Sequence, residues 1–260
     1  MSYNTLTVAE QGGIATITFN RPEKRNAISY ELIDELLRVL GALERSSAQI
    51  VVLTGAGKAF CAGMDLDNLR ALTGRTPEQN RQDSETMGLL FRSIYEFPKP
   101  TIAAVNGPAI AGGCGIATLC DFTVASADAK FGYTEVRIGF LPAIVSTFLL
   151  RQVGEKHARD LLLTGRIIGA SEAYHIGLVN EVVEPERLTQ RAGELAAQLM
   201  ENSPASLAAT KQLLTGFSFE ELNATVRAAV DANARIRATH DFREGISSFL
   251  EKRKPVWKGQ

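Results

Sequence analysis

Apolar residues recur along this chain with two periods, and the switching between them predicts its architecture. Around a turn at Gln11-Gly12-Gly13, Ile14, Thr16 and Thr18 alternate with Ala15, Ile17 and Phe19, so residues 8–20 are predicted to form a two-stranded hairpin. A helix is predicted from a Ser29 cap to about Leu40. Leu32, Leu36, Leu37 and Leu40 share one face there, and Glu31, Asp34 and Glu35 crowd the early turns, where the helix dipole favours acids. Residues 50–53, 101–105 and 122–125 read as short buried strands. The first runs into Thr54-Gly55-Ala56-Gly57 and the second into Asn106-Gly107-Pro108. A helix is predicted again over about 142–153. Strands alternating with helices imply a largely parallel sheet, with functional groups on the loops beyond its strand ends.

From Glu186 onward the pattern is helical only. Leu188, Ala192, Leu195 and Leu199 form one stripe, and Ser203-Pro204 is a cap and first-turn signal for the next helix. We therefore expect an α/β core over residues 1–185 and a helical region over 186–260. The apolar faces of that region need the core or another subunit to cover them.

Composition narrows the function classes. With 28 basic and 29 acidic side chains, the formal net charge of -1 gives no global reason to bind nucleic acid. The densest basic run, Lys252-Arg253-Lys254 with Lys258, is short, which argues against an RNA-binding or scaffold role. Cys61, Cys114 and Cys120 are an odd set without CxxC spacing, and they are expected to be reduced, buried thiols in a cytoplasmic protein. The opening MSYNTLTVAEQGG has no basic-then-apolar signal segment. Residues 102–119 are uncharged, yet Gly107, Pro108, Gly112, Gly113 and Gly115 interrupt them, so a membrane span is not expected. His157, His175 and His240 lack metal-site spacing, no GxSxG occurs, and Gly55-Ala56-Gly57-Lys58 completes neither a Walker loop nor GxGxxG. No metal and no resident cofactor are expected.

Two segments carry the chemistry: Gly57-Lys-Ala-Phe-Cys-Ala-Gly-Met-Asp-Leu66 and Ala104-Val-Asn-Gly-Pro-Ala-Ile-Ala-Gly-Gly-Cys-Gly115. With Asn20-Arg-Pro-Glu-Lys-Arg-Asn-Ala27, Phe131-Gly-Tyr-Thr-Glu-Val-Arg-Ile-Gly139, Leu163-Thr-Gly165, Gly177-Leu-Val-Asn180 and Phe249-Leu-Glu-Lys-Arg-Lys254, they resemble the enoyl-CoA hydratase/isomerase (crotonase) superfamily, in order and over almost the whole chain. The resemblance implies a crotonase-like ββα spiral core with a C-terminal helical oligomerisation region, assembled as a homotrimer or a hexamer. It implies an acyl-CoA thioester as substrate, coenzyme A entering only as part of that substrate.

The resemblance also assigns residues. Two backbone N–H groups, of Met64 and Gly112, are implied to hold the thioester oxygen as it becomes an enolate. The physics agrees, because preorganised donors at a helix N-terminus favour developing negative charge. Coenzyme A is implied to lie along Lys24, Arg25, Ala27, Ala62, Met64, Asp65 and Leu66, with Lys252 of the terminal helix near its phosphates. Asp65 reads as a local structural carboxylate at a helix start as well.

The chain departs from the family pattern at one catalytic position. Hydratases of the family present two glutamates, and the first position here is Gly115. The second is Glu135, flanked by Phe131, Tyr133, Val136 and Ile138, where burial would raise a carboxyl pKa to a useful range. Glu135 is therefore the expected acid/base. Reversible hydration of a 2-enoyl-CoA is the expected reaction. Proton transfer from C2 to C4 in an enoyl-CoA isomerase is the alternative, since one base suffices for it. Tyr133 and Thr134 are candidates for orienting water. After Gly139 the sequence Phe140-Leu-Pro-Ala-Ile-Val-Ser146 stands where the family often has a glycine-rich stretch, so a bulkier acyl pocket is expected.

Overall fold

The computed structural model describes residues 3–260, so the first two residues of the amino-terminal stretch lie outside the described residues. The predicted hairpin forms from β1 (Leu6–Gln11) and β2 (Ile14–Phe19), paired in register from Leu6 with Phe19 to Gln11 with Ile14. Ser29 caps α1 (Tyr30–Glu44) by accepting from the Leu32 N–H, and the chain returns as β3 (Ile50–Gly55). Two helices that the apolar pattern did not reveal come next, α2 (Leu66–Leu72) and α3 (Pro77–Tyr95), the latter started by a reciprocal Thr76–Gln79 capping box.

The uncharged stretch over 102–119 resolves into β4 (Thr101–Val105), the two-residue β5 (Ala109–Ile110) and α4 (Gly112–Leu119). No helix among the described residues is long and apolar enough to cross a membrane. Then follow β6 (Phe122–Ser126), β7 (Lys130–Gly132) and α5 (Ala143–Thr164), which runs past the predicted end at 153 with a break in helical geometry at Gly154. The core is completed by β8 (Ile167–Gly169), α6 (Ala170–His175) and β9 (Glu181–Val183). Beyond it the chain is helical, as α7 (Leu188–Met200), α8 (Pro204–Gly216), α9 (Phe219–Ile236) and α10 (His240–Leu250).

The main sheet has the order β1-β2-β3-β4-β6-β9, parallel from β2 onward, and a second sheet, β5-β7-β8, stands apart from it. β4 is buried along its whole length, as expected of a parallel strand covered on both faces. The α7 stripe of Leu188, Ala192 and Leu195 packs on one face of the sheet against Ile50, Val52, Ile102 and Val124. α9 packs against α3 and α5, and α10 against the 3-10 turn over Glu135–Ile138. The chain thus belongs to the α/β class, with its strands ending at Val183 and its carboxy-terminal helices folded back over the core.

Candidate active site

Beside the second sheet, the two glycine-containing loops are zipped together. Phe60 and Cys61 N–H groups donate to the Pro108 carbonyl, the Ile110 N–H donates to the Cys61 carbonyl, and Cys61 pairs with Ala109 as an isolated parallel bridge. At the closest point Gly113 lies on Cys61: a Cβ on Gly113 would sit 2.3 Å from the Cys61 carbonyl oxygen and 2.8 Å from its Sγ. Only glycine permits that approach. It brings the segment ending in Met64 beside the start of α4.

Each loop then presents one unused donor. Ile28 pairs with Met64 in parallel fashion, its N–H donating to the Gly63 carbonyl and its carbonyl accepting from the Asp65 N–H. Strand geometry turns the Met64 N–H to the opposite side. Gly112 is the first residue of α4, where an N–H has no partner inside the helix. Among the described residues, neither N–H has a hydrogen-bond acceptor. Ala111, just before, holds φ 52 and ψ -126, a conformation an alanine rarely adopts, and is fixed there by its N–H to the Gly132 carbonyl and by its carbonyl to the Gly115 N–H. Such strain costs on the order of 1–3 kcal/mol and persists where surrounding contacts over-determine it, typically at functional sites.

Both residues line one cavity of about 470 Å³. Glu135 lines it too, at the start of the 3-10 turn, with 8% of its surface exposed and Oε2 buried without a hydrogen-bond partner. Burial lifts its pKa to about 7, with only its own backbone N–H acting the other way. α10 holds this turn in place. A Cβ on Gly245 would lie 2.2 Å from the Ile138 carbonyl oxygen, so the helix backbone rests directly on the turn.

Gly115 faces a filled space rather than a vacant carboxylate position. A Cβ there would sit 2.7 Å from Val145 Cγ1 and 3.3 Å from Phe91 Cζ. Val145 belongs to the bulky stretch that replaces the glycine-rich one. Its neighbours Phe140, Leu141, Pro142, Ala143 and Ile144 all line the cavity, so this wall of it is apolar. Of the two groups considered for orienting water, Thr134 lines the cavity. Tyr133 does not: its ring is buried and its hydroxyl pairs with Thr118 Oγ1 at 3.1 Å.

The coenzyme A positions are brought together with a single exception. Lys24, Arg25, Ala27, Ala62, Met64, Asp65 and Leu66 all line the cavity, with Lys24 and Arg25 exposed. Lys252 does not line it. It sits in a left-handed turn past the end of α10, and the terminal helix contributes Phe249 to the cavity wall instead. Asp65 is a structural carboxylate: it caps α2 by accepting from the Asp67 N–H and pairs with Arg21 at 2.9 Å, only 4% of its side chain exposed. Buried Asn26, in a left-handed conformation, ties this loop down by accepting from the Arg21 N–H and donating to the Ala56 and Ala59 carbonyls. The loop lines the cavity as the sequence motif suggests, while Asn26 and Arg21 carry no stronger sequence signal than an Arg and an Asn in a loop with a proline. Sequence reasoning also missed Met87 and Phe91 of α3 and Asn233 and Arg237 at the end of α9, all of which line the cavity.

The cysteines and histidines do not line the cavity. Cys61, Cys114 and Cys120 are buried free thiols pushed up to about 12 by burial. His157, His175 and His240 are exposed. No cluster of metal-ligating side chains occurs among the described residues.

The chain is similar to known proteins over almost its whole length. A family model described as Enoyl-CoA hydratase/isomerase matches residues 9–260. The chain is 47% identical over 247 residues to a Thermus thermophilus protein named "Putative enoyl-CoA hydratase", covering 95% of this chain and 98% of that one. It is 36% identical to the short-chain-enoyl-CoA hydratase of Clostridium acetobutylicum, over 98% of this chain and 97% of that one. Among solved structures, an enoyl-CoA hydratase/isomerase from Xanthobacter autotrophicus Py2 superposes with a TM-score of 0.89 at 30% identity, covering 96% of this chain and 97% of that one.

Proposed function

Because this chain belongs to the enoyl-CoA hydratase/isomerase family, we propose that it catalyses the reversible hydration of a 2-enoyl-CoA through a thioester enolate, with Glu135 as its single acid/base. The observation that carries this reading is the buried, unpartnered Oε2 of Glu135 in the same cavity as the unpaired N–H groups of Met64 and Gly112. As water adds to C3, the Glu135 carboxylate takes its proton and electron density moves onto the thioester oxygen, where the two N–H groups stabilise it. The enolate then collapses and C2 takes the proton from Glu135. The carboxylate is regenerated, and H and OH have added across C2 and C3. Each oxyanion donor is worth roughly 10²–10³ in rate. One carboxyl acting twice requires a pKa near neutrality, which burial provides.

Lys24 and Arg25 at the cavity mouth suit the phosphates of coenzyme A, and Ala27, Ala62, Asp65 and Leu66 suit the walls of its binding groove. The chemistry uses this chain's own groups and water, with no resident cofactor. We place the protein in the cytoplasm, a reading supported by its three free, buried thiols. A homotrimer or a dimer of trimers is supported by the exposed Leu213, Leu214 and Phe217 on and after α8.

A second reading is isomerisation, in which the same carboxylate moves a proton from C4 to C2 or back. It is favoured by one observation, the packing of Val145 and Phe91 where a second carboxylate would need to be. Purified protein offered crotonyl-CoA and a 3-enoyl-CoA in turn distinguishes the two. Hydration predicts loss of the conjugated enone absorbance from crotonyl-CoA as the faster process. Faster appearance of that absorbance from the 3-enoyl-CoA would make the isomerase reading correct.

A further inference from the structure

α3 is unusual in burying polar residues: Asn80, Asp83 and Ser84 lie on its covered side together with Leu90 and Phe91. Burying such groups is costly unless they are paired, and most of these are. Asp83 accepts from the Tyr30 hydroxyl, lies 2.9 Å from Arg75 Nη1 and lies 2.6 Å from Arg237 Nη1. Arg237 Nη2 donates to Asn233 Oδ1 at 2.8 Å, the Ser84 hydroxyl donates to the same oxygen, and Asn233 Nδ2 donates to the Leu141 carbonyl.

Two features of the cluster are left unbalanced. Arg237 is 3% exposed, yet its Nε is buried without a hydrogen-bond partner. Charge is also uneven, since the two guanidiniums of Arg75 and Arg237 face the one carboxylate of Asp83, leaving one positive charge in excess. Burial pushes the Arg237 guanidinium down despite the pull of Asp83, so its charge is held in a poorly solvated place.

Arg237 and Asn233 line the same cavity as Glu135 and Gly112. Helix α3 gives the direction. A Cβ on Gly112 would lie 3.7 Å from Met87 and 3.8 Å from Phe91, so these two residues mark the level of the enolate oxygen. Asp83 is one turn before Met87 and two turns before Phe91, roughly 6–12 Å along the helix at 1.5 Å per residue. Lys24 and Arg25 stand exposed at the cavity, whereas Arg237 is buried and 2.6 Å from Asp83, which puts it about the span of a short acyl chain along α3 from the level of the oxyanion donors.

We propose that Arg237, with Asn233, forms an anion subsite for a carboxylate carried at the far end of the substrate's acyl chain, making the preferred substrates ω-carboxyacyl thioesters. This rests on the acyl-CoA reading above. A carboxylate there would accept from the Arg237 Nε–H and restore charge balance.

A purely structural Arg237, stapling α9 to α3 through Asp83, predicts no dependence on what ends the acyl chain. The wild-type enzyme is therefore offered hexenoyl-CoA and its ω-carboxyl counterpart of equal length. The expected result is a KM lower by roughly tenfold or more for the carboxylate, with similar kcat. Arg237→Met should lose that preference through KM. Should the variant not fold, calorimetric binding of saturated adipyl-CoA and hexanoyl-CoA to the wild type reads the same subsite without chemistry. Equal or better binding of the methyl-ended thioester would overturn the proposal. If neither enoyl-CoA turns over while adipyl-CoA still binds more tightly, the subsite stands and the hydratase reading fails.

Discussion

Glu135 concentrates the chemistry in one side chain, and its burial has consequences for both rate and stability. The carboxylate is the reactive form in hydration, so kcat/KM is expected to fall about tenfold per pH unit below about 7 and to level off above it. Stability moves the opposite way. The folded-state pKa, about 7, lies above the ordinary 4.5, so the folded protein holds an extra proton between those values. Stability from this group is present below about 4.5 and is lost as pH rises through 7, by roughly 3 kcal/mol in all. Glu135→Gln removes that loss. Near pH 8 it should abolish turnover and raise the melting temperature, while near pH 5 the two melting temperatures should converge, as calorimetry at both values would show. At this scale the sequence was informative, because an acid among Phe131, Tyr133, Val136 and Ile138 already signals a raised carboxyl pKa. It could not show that the Tyr133 hydroxyl turns away to Thr118, since that depends on a contact made by α4.

Elements matter here through how closely they approach. The two donor loops keep their places because α4 begins against the Cys61 backbone, with no room for a side chain at Gly113. Gly113→Ala is expected to separate them, lowering kcat by at least about tenfold with a smaller change in KM, and to cost about 1–3 kcal/mol of stability. Steady-state kinetics and denaturant titration check both halves. The loops, β3, β4 and the Ser29 cap were legible because glycine, proline and capping residues act locally. α3 was not: its polar residues Asn80, Asp83 and Ser84 interrupt the apolar stripe, and their partners Arg237 and Asn233 lie some 150 residues away in sequence. The spacing of Asp83, Met87 and Phe91 by four residues is the signal that could have placed them on one face. Lys252 stands outside the cavity lining for a related reason, since a motif at the chain end does not reveal that Phe249, one turn earlier, is what reaches the cavity.

Across the whole molecule, the carboxy-terminal helices divide their tasks. α9 and α10 complete the cavity, contributing Asn233 and Phe249, while α8 has no fully buried residue and leaves Leu213, Leu214 and Phe217 between 59% and 75% exposed. The proposed assembly would cover that surface with other copies of the chain, and sedimentation velocity should then give the mass of a trimer or hexamer. Leu214→Glu should shift it toward smaller species, and a monomeric wild type would refute the assembly.

The proposed chemistry turns on a thioester enolate formed with Glu135 as the base and two backbone N–H groups as its support. The most direct measurement is exchange of the C2 hydrogens of butyryl-CoA with deuterated water, followed by NMR, because a saturated thioester can form the enolate without adding water. Enzyme-dependent exchange at C2 is expected, lost in Glu135→Gln and weakened in Gly113→Ala. Absence of exchange in the wild type, or exchange undiminished in Glu135→Gln, would contradict that chemistry.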